Sequence, residues 1–152
     1  KVFNGDYRVM VTGPFAGVAE GFTTIKGQTK LDIIAIPLSR ISIETNISAD
    51  NKITINYEAK KADEALDLTD ISVMWNYAPG VDINSSNYAS IVSKGTVANG
   101  THTFDLYNDT QFVENHYKIQ ANGNKVYVRV AATVNKLTNY SKIIELEVSD
   151  IK

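Results

Sequence analysis

Period-two alternation of apolar and polar residues runs through most of this chain and restricts its fold more than any other feature. A strand turns successive side chains to opposite faces, so this pattern buries one face of a sheet and wets the other. Ile41 and Ile43 alternate with Arg40, Ser42 and Glu44, while Ile53, Ile55 and Tyr57 alternate with Thr54, Asn56 and Glu58. In "ISVMWNYAPG" Ile71, Val73, Trp75 and Tyr77 share one parity, and Pro79-Gly80 ends the run. "YASIVSKGTV" and "THTFDLY" supply two more strands. Val126, Val128, Val130 and Ala132 then alternate with Lys125, Tyr127, Arg129 and Ala131, and Ile144, Leu146 and Val148 with Ile143, Glu145 and Glu147.

From Ile41 onward this makes seven short strands separated by turns, the pattern of an all-β immunoglobulin-like or fibronectin III-like sandwich. Helical periodicity is nearly absent, and the acidic stretch "KKADEALDLTD" is the only segment expected to form a helical turn. If the last two strands pair, Lys125 and Arg129 on one and Glu145 and Glu147 on the other are placed to attract across their exposed faces. Upstream, Tyr7, Val9 and Val11 mark an earlier strand, and "FTTIKGQTKLDIIAIP" reads as two strands broken at Lys26-Gly27. Pro37 marks a boundary, dividing the chain into residues 1–37 and 38–152.

Composition excludes several function classes. A hydrophobic content of 43% suffices for a packed core. Fifteen basic and 17 acidic residues are interspersed, and the net charge of −2 offers nothing to a phosphate backbone, so nucleic acid is not expected as a partner. The chain has no cysteine, which removes disulfides, thiolate metal sites and cysteine nucleophiles. The longest mainly apolar stretch, residues 33–38, is too short to cross a bilayer as a helix.

Chemistry-bearing residues are few. His102 and His116 lie outside any nucleophile motif, and His102 has the parity of Phe104 and Leu106, so no catalytic residue is assigned and the chain is read as a non-enzyme. Asp63, Glu64, Asp67 and Asp70 gather acidic oxygens, but without the spacing of a calcium loop they read as a solvated surface; no metal or cofactor is expected. Trp75 has the core parity and is read as buried. The residues expected at a glycan-contacting surface are Tyr77, near the end of its strand, and Tyr88, Tyr107, Tyr117 and Tyr140, in loops or on the opposite parity. Five N-x-S/T triplets, at Asn46, Asn84, Asn99, Asn108 and Asn139, read as chance products of an asparagine-rich chain.

Two segments carry a family resemblance. "VYVRVAATVNKLTNYSKIIELEV" resembles the final strands of fibronectin type III-like modules. At the other end, Phe3, Gly5, Tyr7 and Val9, then Gly13, Pro14 and Phe15, then Ile25, Gly27, Thr29 and Asp32, followed by Pro37, are similar to a domain junction in Bacteroidetes surface lipoproteins of Sus-like polysaccharide-utilisation loci. Ile33 departs from that pattern, which has an aromatic there.

The resemblance implies that residues 1–37 are the last strands of a carboxypeptidase-regulatory, transthyretin-like sandwich. Residues 38–152 would then form the immunoglobulin/fibronectin III-like domain. It further implies a non-catalytic accessory lipoprotein on the outer face of the outer membrane, lipid-anchored upstream of Lys1. Its role would be spacer, docking domain or weak glycan binder, with polysaccharide or Sus-like outer-membrane proteins as partners. The alternative is a structural adhesin or fibre repeat that associates with copies of itself.

Overall fold

A computed structural model describes residues 5–11, 19–25 and 36–149, with backbone alone for most of the first two segments. Strands β1 (Gly5–Val11) and β2 (Ala19–Ile25) form an antiparallel hairpin in which Gly5 lies opposite Ile25 and Val11 opposite Ala19. The Gly13-Pro14-Phe15 phrase, the Lys26-Gly27 turn and the strand expected after it lie outside the described residues.

The sandwich expected from the alternation is observed. One sheet has the order β3 (Ser39–Ile47), β4 (Lys52–Lys61), β7 (Asn99–Asp105). The other has the order β10 (Ile144–Glu147), β8 (Lys125–Val134), β5 (Leu68–Asn76), β6 (Ser90–Gly95). All of the pairings are antiparallel. Ile53, Ile55 and Tyr57 of the first sheet meet Ile71, Val73, Trp75, Val126, Val128 and Val130 of the second in one buried cluster.

The closing strand is divided in two, so the described residues from Ser39 onward form eight strands rather than seven. A short β9 (Leu137–Tyr140) returns along the end of β8 before β10 pairs with its beginning. The turn between β8 and β9 places both Asn135 and Lys136 in the left-handed region, at φ 50° and 65°, as a tight two-residue hairpin requires. The division falls at buried Ser141. Its N–H donates to the Val130 carbonyl at 2.8 Å, while its hydroxyl accepts the Val130 N–H at 3.0 Å in place of a backbone carbonyl.

Two local expectations are corrected. Residues 110–121 form a helix, α1 (Thr110–Ala121), which the strand pattern did not announce. Asp109 caps it by accepting the Gln111 N–H at 2.9 Å, and Phe112 and Ile119 bury one turn-matched face. At its other end Gly123, at φ 73°, lets the Gly123 and Asn124 N–H groups reach back to the Gln120 and Ile119 carbonyls at 3.1 and 2.9 Å. By contrast, the acidic stretch forms no helix. It turns tightly beneath the Lys61 ammonium, which donates to the carbonyls of Glu64 and Leu66 at 3.1 and 3.0 Å.

Arg129 is the third correction. Lys125 does meet Glu145, at 3.2 Å, and that carboxylate raises the Lys125 pKa. Arg129 instead folds inward, donating from Nε to the Ser141 carbonyl at 2.8 Å and from a terminal nitrogen to the Val81 carbonyl at 3.0 Å. Its guanidinium also lies 4.3 Å from the centre of the Tyr140 ring. These contacts hold the loop over residues 77–89 down on the outer face of the second sheet. A second small core of Met74, Val81, Tyr127 and Ala131 forms beneath that loop.

Candidate functional site

Trp75 and Asp109 set the position of the elements that carry the exposed tyrosines. The Trp75 side chain is fully buried, as its parity predicted, and its ring meets Phe112 of α1 edge-on at 6.3 Å. A buried indole N–H needs an acceptor, and Asp109 supplies one at 2.9 Å. The same carboxylate thus caps α1 with one oxygen and satisfies the core tryptophan with the other. This fixes α1 against the end of β5, where the chain continues into Tyr77.

At that junction two of the expected surface residues, Tyr77 and Tyr117, meet at one lysine. The Lys118 ammonium lies 5.1 Å from the centre of the Tyr77 ring and 5.7 Å from that of Tyr117, so one cation is flanked by two aromatic rings. Tyr77 is half-buried, whereas Tyr117 is 58% exposed. Tyr117 lies on the helix, not in a loop as its sequence position suggested. Tyr107 stands on a short 3-10 turn, Leu106–Asn108, its ring edge-on to Phe112 at 6.1 Å, and keeps part of its surface exposed.

Tyr88 and Tyr140 belong elsewhere. Both are half-buried against the second small core, and the Tyr140 hydroxyl accepts the Ile83 N–H at 3.4 Å. Their rings anchor the 77–89 loop. The five tyrosines therefore separate into a ledge at the α1–β5 junction, carried by Tyr77 and Tyr117, a Tyr107 that packs on Phe112 at the start of α1, and a pair that packs a loop. The sequence signal that could have located the ledge was the helix itself: Asp109 before an apolar Phe112 and Ile119 seven residues apart, then Asn122-Gly123. Lys118 was not singled out, because its neighbour Tyr77 is more than forty residues away in the chain.

The remaining candidates have local roles. His102 is half-buried with its ring edge-on to Phe104 at 4.5 Å, and burial, with Lys94 adding to it, lowers its pKa below 6.5. His116 places Nδ1 2.7 Å from the Val113 carbonyl; since a carbonyl only accepts, Nδ1 carries the proton. Asp63 accepts the Ala65 N–H at 2.9 Å, and Asp70 accepts the hydroxyls of Ser72 and Ser93. Among the described residues no three His, Asp or Glu side chains are gathered as metal ligands, and no helix is long and apolar enough to cross a membrane.

No family model matches the chain, and no curated protein matches it. Solved structures do. A DUF3823 family protein from Parabacteroides merdae superposes with a TM-score of 0.68 at 17% identity, covering 96% of this chain and 72% of that one. A DUF3823 family protein from Bacteroides ovatus gives 0.67 at 18% identity, covering 97% and 76%. A candidate carbohydrate binding protein from Bacteroides uniformis gives 0.63 at 15% identity, covering 97% and 75%. At these identities the likeness shows a shared all-β fold. All three neighbours are Bacteroidetes proteins, the group to which the sequence resemblance points.

Proposed function

We propose that this chain is a non-catalytic glycan-recognition module of a cell-surface accessory lipoprotein in a glycan-uptake system. The observation that carries this reading is the ledge at the α1–β5 junction. An exposed Tyr117 ring offers a flat face for a sugar ring, Lys118 beside it donates hydrogen bonds to sugar oxygens, and Tyr77 flanks the same ammonium. Helix α1 is fixed by Asp109 and Trp75, so the ledge binds without paying to order a mobile loop. The neighbour from Bacteroides uniformis, described as a candidate for carbohydrate binding, supports the same class of ligand.

In this reading the module works outside the outer membrane, held by a lipid anchor beyond residues 1–152 and beside Sus-like partners. Residues 1–37 would then close a separate transthyretin-like domain. Affinity electrophoresis through gels containing bacterial and plant polysaccharides tests the recognition role. Retardation by one polysaccharide, lost in Tyr117→Ala and weakened in Lys118→Ala but kept in Tyr88→Phe, is the expected result. No retardation by any polysaccharide, combined with self-association in sedimentation that rises with concentration, would instead favour the adhesin or fibre role.

A further inference from the structure

The geometry points to a second binding site, on the outer face of the β3–β4–β7 sheet, that takes a neutral saccharide. A groove of about 370 Å³ lies there, lined by Ser42, Glu44, Asn56, Glu58 and Asn99, with Ile43 and Tyr57 completing the lining. Pockets that hold small molecules run from about 300 to 1,000 Å³, so this one accommodates a short saccharide. The strand register builds it. Ser42 lies opposite Glu58 and Glu58 opposite Asn99, while Glu44 lies opposite Asn56, so all five side chains rise from one face.

The lining has the chemistry of hydroxyl recognition. Carboxylates accept from vicinal hydroxyls, and amides both donate and accept. Asn56 is already oriented: its Oδ1 accepts the Thr101 hydroxyl at 2.6 Å, which leaves its N–H pair as the donor toward the groove. Apolar surface in the lining, to which Ile43 and Tyr57 belong, gives the carbon faces of a sugar ring something to rest on.

Charge selects among saccharides. Glu44 and Glu58 repel a uronic acid or a sulfated sugar, so an anionic ligand is disfavoured. Arg40 and Lys60 stand directly opposite each other at one end of the groove, and the Lys60 ammonium lies 3.6 Å from the Glu58 carboxylate. These two cations stand outside the lining and offset the two carboxylates, so a positively charged sugar gains little net attraction. A neutral polyhydroxylated ligand is the one that this arrangement attracts without opposition, and its affinity should vary little with salt.

The site is separate from the tyrosine ledge, and one experiment reads both. The 15N-labelled chain is titrated with neutral cello-, xylo- and manno-oligosaccharides and with an oligogalacturonide, and backbone amide shifts are followed. The expected result is saturable shifts at residues 42–44, 56–58 and 99 with a neutral oligosaccharide. In the Glu44→Ala, Glu58→Ala double variant, whose spectrum also reports folding, that affinity falls at least tenfold, and in Tyr117→Ala it is unchanged. Shifts confined to residues 77, 117 and 118 would overturn the second site while leaving the ledge standing. Preference of the groove for the oligogalacturonide, no groove shifts with any neutral sugar, or affinity that survives the double variant would each overturn it too.

Discussion

The two sheets share one core but treat their outer faces differently. On the second sheet the outer residues Met74, Tyr127 and Ala131 are buried beneath the 77–89 loop. On the first, Ser42, Glu44, Asn56, Glu58 and Thr101 stay exposed. Strand β5 is therefore buried on both faces over residues 71–76, whereas β4 alternates almost strictly between buried and exposed. A covered face stabilises and fixes a loop, while a bare polar face is left open for a ligand. The difference places stability in one sheet and locates candidate recognition at the other and at the α1 ledge.

The largest expected effect tests that contrast directly. Met74→Ala removes a fully buried side chain from the covered face and should cost about 2–5 kcal/mol. Glu44→Ala on the bare face should stay within about 0.5 kcal/mol of the parent. Paired denaturant titrations check both, and equal losses would mean that the two faces do not differ in the way described.

Removing the strap on the covered face comes next. Arg129→Ala deletes two charge-assisted donors and the stacking on Tyr140, and should cost about 2 kcal/mol. Hydrogen exchange should then rise through residues 77–89 more than through β4. Arg129→Lys should not restore protection, because a single ammonium cannot span the Ser141 and Val81 carbonyls as the planar guanidinium does.

Asp109→Ala should cost about 1–2 kcal/mol, since it removes a helix cap and leaves the Trp75 indole N–H buried without an acceptor. Asp109→Asn keeps one acceptor oxygen for the two donors and sets its NH2 against the other, so it should recover only part of that loss. Thermal melts read the stability, and loss of sugar binding in Asp109→Ala alone would show that the ledge depends on a fixed α1.

The smallest effect is a pH dependence on the inner side of the bare sheet. Burial, together with Lys94, holds the folded-state pKa of His102 below 6.5, so the unfolded chain takes up its proton first. The stability this confers is complete above pH 6.5 and is lost as pH falls through 6.5 toward the lowered folded value. His102→Leu should flatten that part of the acid slope in urea titrations. An unchanged slope would show that His102 is solvated in the folded protein.

Much of the fold could be read locally. Alternation in "ITINY", "ISVMWNY" and "VYVRVAA" assigns their inner residues correctly, because a strand's side-chain period is a property of the backbone and one buried face suffices to reveal it. Helix α1 escaped that reading because only Phe112 and Ile119 of its twelve residues are buried, leaving its period faint in a polar segment. Arg129 was read as exposed from its parity alone. Its true place depends on a loop whose Val81 lies 48 residues away in the chain and which arches over the sheet.

The tyrosines show the same division. Their identities marked them as candidates for stacking, but nothing local separates Tyr117, which faces water beside Lys118, from Tyr140, which packs on Arg129. The sequence by itself determined the strands, their inner faces, the buried Trp75 and the chemistry available at the surface. Only the tertiary structure decided which outer face is covered, which tyrosines stand beside Lys118, and that Glu44, Asn56, Glu58 and Asn99 line one groove. Backbone period and side-chain chemistry are local quantities, whereas coverage and convergence depend on strand register and loop packing between residues far apart in the chain.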